Sequence, residues 1–294
     1  MVMQKGIVLF SVLPVRALAA ESAEMTTQLL FGETCDIIGI EGRWAAVRND
    51  FDGQAGYVDA KMITLMSDSE YDSYQSLMDM STAFVRMPMA FAVSQNNQTT
   101  IPLTAGTRLC NYKVDSQNKN IAHFEVLGVP FTIDPMMVLS RPMALNRDSM
   151  MILSRFFLNV PYLWGGKTVL GMDCSGFTQL IFSMMGKPLP RNASEQAVQG
   201  ELIIGAQKGE INVGLTSDDM KLTRGCDLAF FDHGDGKITH VGILIGNGTI
   251  IHCSGRVKVE KITAEGILSS ENNALYQVGD ITHQLHSVRR YQVQ

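Results

Sequence analysis

Cys174 is the residue whose type and setting most directly suggest chemistry. It stands in Gly171-Met172-Asp173-Cys174-Ser175-Gly176-Phe177, between an acid and a small polar residue, where a helical apolar pattern begins. Free cysteine most often serves as a small buried hydrophobe. At the first turn of a helix, unpaired backbone N–H groups and the helix dipole favour the thiolate instead. A thiolate nucleophile also needs an imidazole, to stabilise it and to protonate the leaving amine. The chain has six histidines. His123 lies among short β-like runs, His283 and His286 lie in a polar tail and read as surface residues, and His233 reads as a loop residue. His240 opens the apolar run HVGILIG, and His252 ends TIIH beyond the Gly246-Asn247-Gly248 turn, so the two imidazoles can be neighbours.

That neighbourhood depends on register. A plain two-residue turn at Asn247-Gly248 would oppose Gly246 to Thr249 and His252 to Ile243, which points away from the face of His240. A three-residue loop with a bulge shifts the pairing by one residue and puts both histidines on one face. A functional pair therefore predicts a bulged loop around Gly246 to Thr249.

The elements that must carry these residues are legible in outline. Cys174 to Met185 is a helix candidate, apolar at Phe177, Leu180, Ile181, Met184 and Met185, with Gly186 as its stop. A second helix is expected within NRDSMMILSRFFLNV. DLAFF, HVGILIG, TIIHCSG and VKVEKI are β-branched and punctuated by glycine, so the last part of the chain reads as helix first and antiparallel sheet after. Ahead of it, GIVLFSV, CDIIGI, WAAVRN and AGYVDA have the spacing of a small barrel, SDSEYDSYQSLMD reads as a polar link or helix, and a second β-like set runs from about 81 to 139.

Composition narrows the function. The 294 residues exceed one ordinary core, and 46% hydrophobic with 18% charged residues describes a globular chain. A net charge of -5 with scattered Lys and Arg offers no surface for nucleic acid. The five cysteines are far apart and without a C-x-x-C pair, so neither a disulfide framework nor a metal site is expected, and no cofactor motif is present. Cys226 and Cys253 read as packing residues. The apolar run near the N-terminus is too short for a transmembrane helix; with ALAA after it, it resembles a secretory signal, but it also reads as a first β-strand.

VPYLWGGKTVLGMDCSGF, PRNASEQ, DLAFF and THVGILIGNGTIIHCSG resemble, in order, the motifs of the NlpC-type cysteine peptidases, papain-like bacterial enzymes that cut peptidoglycan stem peptides. The resemblance covers most of residues 142 to 260. It implies Cys174 as nucleophile, His240 as general base and acid, and His252 as the residue orienting the His240 ring. LLFGE, GRW and GYV in the front of the chain resemble the bacterial SH3-like modules that precede this domain in some members. Removal of residues 1 to 20 would take away that module's opening strand, so the strand reading is preferred and a cytoplasmic location is expected; export to the periplasm or surface follows if those residues are a cleaved signal.

The expected fold is therefore multidomain: SH3-like barrels at 1-75 and 76-140, the second divergent, followed by an α+β papain-like domain at 141-294. Members built this way resemble recycling enzymes that cleave after γ-D-glutamate in short stem peptides bearing a free N-terminal L-alanine. Peptidoglycan-derived short peptides are the expected partners. The resemblance implies Asp173, Ser175, Tyr57, Glu33, Trp164 and Asn192 as substrate-binding residues, with Asp173 the carboxylate facing the ammonium. Asp173 also reads as a helix N-cap, and Trp164 either lines the cleft or covers the helix. At Arg191-Asn192 the chain departs from the family's usual acidic residue. Two other readings are an acyltransferase or amidase of the same superfamily and a non-catalytic wall-binding protein; the front modules argue against the first, and the joint presence of Cys174, His240 and His252 against the second.

Overall fold

The computed structural model describes residues 4–212 and 214–292. They form two compact units: the residues up to Met143 with the segment Trp164–Val169, and Ala144–Leu163 with the residues from Leu170 onward. No helix among the described residues is long and apolar enough to cross a membrane.

In the first unit the opening apolar run is two strands rather than one, Gln4–Ile7 and Val12–Arg16. The former pairs with Thr34–Glu41 and Thr64–Met66, the latter with Met25–Leu30 and Ala55–Asp59, within one seven-stranded antiparallel sheet. Alternation sends Leu13 and Val15 inward, where they join Val8, Leu29, Ile37, Val47 and Val58 in a core. The polar stretch that follows is a helix, Asp68–Met80, started by a Ser67–Glu70 capping box. It runs straight across the expected boundary at 75/76. Tyr74 and Met78, one turn apart on it, enter a second core with Ile7, Phe31, Phe124 and Phe131. The two β-rich halves of this unit thus share apolar contacts through the helix.

Trp164–Val169, expected in the last domain, belongs to the first unit. Lys167 explains why: its N–H donates to Gln28 Oε1 at 2.9 Å, and its ammonium, 5% exposed, meets Glu33 Oε1 at 3.1 Å. A buried ammonium needs such a partner. Gly165, at φ +74°, passes the Met25 carbonyl so closely that a Cβ would sit 2.2 Å from its oxygen.

The second unit begins with a short helix, Arg147–Ser154, capped by Asn146, and the buried helix Cys174–Met184. The sheet runs in the order Glu201–Gly205, Ile281–Arg290, Leu228–Asp232, His240–Gly246, Thr249–Ser254, Arg256–Ile262, Gly266–Leu268. Every pairing is antiparallel, and Ile281–Arg290 also pairs with Gly266–Leu268, which closes the sheet on itself. Ile204, Ala229, Phe231, Leu244, Ile250, Ile267, Leu285 and Val288 form a core. The tail that read as polar and exposed is therefore a ten-residue strand of this sheet. His286 is fully buried on it, and His283 is largely covered.

Candidate active site

Cys174 is the first residue of its helix, as the apolar pattern predicts. Asp173 caps it, accepting the Gly176 N–H at 2.7 Å. The same carboxylate takes Arg191 in a two-pronged pair, at 2.9 and 2.7 Å, with the guanidinium 1% exposed. Arg191 Nη1 also donates to Ser175 Oγ at 3.0 Å. Gln196, fully buried, donates to the Ser175 carbonyl and accepts from Thr178 Oγ1, tying the PRNASEQ stretch to the start of the helix. These bonds fix the backbone that presents the thiol.

The helix start does not leave that thiol acidic. Burial, with the Asp173 charge beside it, pushes Cys174 up to about 12, outweighing the backbone N–H groups of Val241 and Ser175 that favour the anion. The expectation of a thiolate made by the helix terminus is corrected: desolvation penalises the anion more than the helix end rewards it. A nucleophilic role for Cys174 would need a neighbouring base to take its proton.

Two candidate imidazoles are set by the hairpin. His252 opposes Gly242, and Ile250 opposes Leu244, but Gly246 opposes Thr249. The turn itself is tight, with Asn247 and Gly248 both at positive φ, as a two-residue primed turn requires. Ile245 is the extra residue, a bulge in the strand. The expected longer loop is thus corrected in place, while its consequence holds: His240 and His252 share a face. Gly242 leaves the space, since a Cβ there would lie 2.8 Å from that of His252. His240 Nε2 lies 2.8 Å from His252 Nδ1.

The relay continues to a residue the sequence reading missed. His252 Nε2 is 2.9 Å from Glu260 Oε2, with both side chains fully buried. Glu260 stands diagonally from His252 on the next strand, two positions beyond the directly opposed Lys258. Counting register back from the Gly255 turn would have found it. Burial opposes ionisation of Glu260, but His252 and the N–H and hydroxyl of Ser270 hold the carboxyl well below its usual range; Lys258 Nζ adds a contact at 3.1 Å. An ionised carboxylate only accepts. His252 therefore carries its proton on Nε2 and accepts at Nδ1, so His240 donates from Nε2 and keeps a lone pair on Nδ1. Burial keeps both imidazoles neutral, pushing His240 well below the ordinary value and His252 down as well.

His283 is the other omission. Its ring stacks on that of His240 at 4.1 Å between centroids, with 29° between planes. One nitrogen from each of His240, His252 and His283 lies within 4.8 Å of the others. This is poor geometry for a metal: two of those nitrogens are spent on each other, and nearly parallel rings aim their lone pairs side by side rather than at one point.

The remaining expected site residues divide between the units. In the second, Asp173 and Ser175 flank Cys174 and are both 6% exposed. The Asp173 carboxylate is an ion-paired group rather than an isolated charge, since Arg191 pairs with it. Asn192 is exposed at the start of the turn Ala193–Gln196, where its N–H and side-chain amide bond Glu195 Oε2 at 3.3 and 3.2 Å. In the first unit, Glu33 is bonded to the Leu30 N–H and to Lys167, Tyr57 is partly buried on the strand Ala55–Asp59, and Trp164 is 58% exposed. Cys253 packs, donating to the Met172 carbonyl at 3.1 Å.

An α+β domain with a cysteine at a helix start and an imidazole pair on the adjoining sheet is the architecture of the papain-like cysteine peptidases. Residues 159–274 match the NlpC/P60 family, and residues 15–63 match the bacterial dipeptidyl-peptidase Sh3 domain. The chain thus carries an NlpC/P60 peptidase domain with a bacterial SH3-type domain ahead of it in sequence. It is 29% identical over 235 residues to a gamma-D-glutamyl-L-lysine dipeptidyl-peptidase of Bacillus subtilis, covering 77% of this chain and 71% of that one. A protein of the same name from Bacillus cereus is 35% identical over 107 residues, 36% of this chain and 28% of that one. A crystal structure of an NlpC/P60 family protein from Bacillus cereus shares the fold, with a TM-score of 0.75 at 19% identity over 98% of this chain and 99% of that one.

Proposed function

We propose that this protein hydrolyses the bond between γ-D-glutamate and an L-diamino acid in short peptidoglycan peptides that carry a free N-terminal L-alanine. The observation that carries the reading is the buried chain Glu260–His252–His240, which fixes a lone pair on His240 Nδ1, together with the Cys174 thiol against the N–H of Val241, the residue after His240. The substrate class rests on the two dipeptidyl-peptidases named above, since an enzyme that releases dipeptides works from a free amino end.

The reaction follows from these groups. His240 Nδ1 takes the Cys174 proton as Sγ attacks the γ-carbonyl carbon, giving a tetrahedral oxyanion. The His240 imidazolium then protonates the amine of the diamino acid, which leaves, and a thioester forms. Water, deprotonated by His240, attacks the thioester carbon; collapse expels the Cys174 sulfur, which regains its proton, and the γ-carboxylate is released. The imidazolium formed at each step is stabilised through His252 by the Glu260 charge.

We place the enzyme on short peptides in the cytoplasm, with residues 1 to 20 retained. The burial of Ile7, Val8, Leu13 and Val15 in the first unit supports the retention of that segment, because its loss would unmake two strands. The test is incubation with L-Ala-γ-D-Glu-L-diamino acid peptides, free and N-acetylated, with products followed by mass spectrometry. An ammonium held by a charge-assisted hydrogen bond predicts roughly a hundredfold or greater loss in kcat/KM on acetylation. Equal cleavage of both, or of intact wall, would overturn the proposed substrate.

A further inference from the structure

We propose that His283 is a positioning residue of this reaction, holding the His240 ring by its face so that Nε2 stays on His252 and Nδ1 stays available to Cys174. Only the kinetic part of the proposal rests on the peptidase reading; the geometric part stands without it.

The hydrogen bond to His252 holds His240 at one ring edge, and an edge contact alone leaves the ring free to swing about its Cβ–Cγ bond. Face contact stops that swing, and His283 supplies it at 4.1 Å and 29°. A second bulge brings it there. Phe230 opposes Ser287, but Phe231 opposes Leu285, so His286 is the extra residue and His283 falls on the face of Phe231 and His240. In simple register it would point the other way. His283 is itself held: its Nδ1 lies 2.8 Å from Thr282 Oγ1, and Phe231 meets its ring edge-on at 6.0 Å. A stacked, doubly held ring is the kind of support that keeps a catalytic group within productive geometry, where a displacement of about 1 Å costs on the order of a hundredfold in rate.

Charge at this face matters as well, because His240 becomes a cation in each half-reaction. Burial, then the repulsion His283 would meet from His252 if both were protonated, pushes His283 down to about 3, so it meets that cation as a neutral ring. A neutral aromatic face attracts a cation; a second imidazolium would repel it. The groups that bear on the pair are His252, Lys258, Glu260 and His233, and the Cys174 thiol meets the N–H of Val241, the residue after His240. Covering the ring also keeps water from it, which is part of what holds His240 below its ordinary value.

The test uses full-length protein. In a Cys174→Ala background, the titration of His240 is followed by NMR of its ring protons; in the otherwise native chain, kcat and KM are measured. His283→Ala is expected to move the His240 titration upward toward the ordinary 6.5 and to lower kcat roughly tenfold or more with KM within about twofold. His283→Phe, which keeps a flat ring, is expected to preserve most of both. Unchanged His240 titration and kcat in His283→Ala would reduce His283 to packing and overturn the proposal. Should His283→Ala not fold, His283→Gln against His283→Phe decides: the proposal requires the Phe variant to be the active one, and the reverse order would overturn it. If the native chain cleaves no peptide, the peptidase reading fails and the NMR comparison still decides the role of the stack.

Discussion

His240 Nε2 lies 2.8 Å from His252 Nδ1 because Ile245 is an extra residue in the strand between them and the turn. Without it, the tight Asn247-Gly248 turn would send the two imidazoles to opposite faces of the sheet. Their meeting is decided by backbone register, and it can be tested by changing that register.

Deletion of Ile245 is expected to return the hairpin to simple pairing, turn His252 away from His240 and abolish hydrolysis. Gly242→Ala should act more mildly in the same direction, since its Cβ would press on that of His252. Circular dichroism establishes that each variant folds, and peptide turnover is then compared. An active, folded deletion variant would show that the imidazole pair is not needed.

Cys174→Ala and His240→Ala should each abolish turnover while leaving the fold intact, because thiol and imidazole act as one unit. His252→Ala should lose less, as it orients rather than reacts. Iodoacetamide labelling provides a check that needs no substrate: with the thiol pushed up to about 12, its rate should climb steadily from neutral into alkaline solution. A plateau below neutrality would reveal a pre-formed thiolate–imidazolium pair instead.

Glu260→Gln removes the charge that fixes the protons of both imidazoles and stabilises the imidazolium. We expect kcat to fall roughly tenfold to a hundredfold, equivalent to about 1.4 to 2.8 kcal/mol, with KM little changed. Because the amide is close in shape, thermal unfolding controls for packing. Native kcat in a folded Glu260→Gln protein would remove Glu260 from the relay.

Acid should destabilise this domain before its carboxylates titrate. His240, His252 and His283 are all held below the ordinary 6.5, so below that pH the unfolded chain binds protons that the folded one does not. Stability is therefore fully present above about 6.5 and is lost as pH falls, for His283 until it titrates near 3. Each imidazole that stays neutral contributes a slope of about 1.4 kcal/mol per pH unit. Urea unfolding between pH 7 and 5 measures the summed slope, and His283→Phe should make it shallower by about one proton. A flat profile across that range would show that the imidazoles ionise freely in the fold.

Local signals were enough for the helix Cys174–Met184: an acid able to cap it, an apolar face at helical spacing, and Gly186 beyond its end are all written within a dozen or so positions. The hairpin of His240 and His252 was legible for the same reason, as were the ordered motifs that mark the peptidase domain and the SH3-type signatures ahead of it. What the sequence by itself determined, then, was the helix-start setting of Cys174 and the meeting of His240 and His252 on one face. Glu260 was within the same reach, one tight turn from His252 in unbroken register. Tertiary structure alone brought His283, from a distant strand whose register is inverted by the bulge at His286. Arg191 meets Asp173 across a gap of 18 positions, an ion pair that local reading did not supply. Hydrophobic alternation specifies that a strand has two faces; which face a given position takes is fixed by pairing with distant backbone. The relay itself lies within one run of three consecutive strands, whereas the ring that covers it is brought there by the closed sheet.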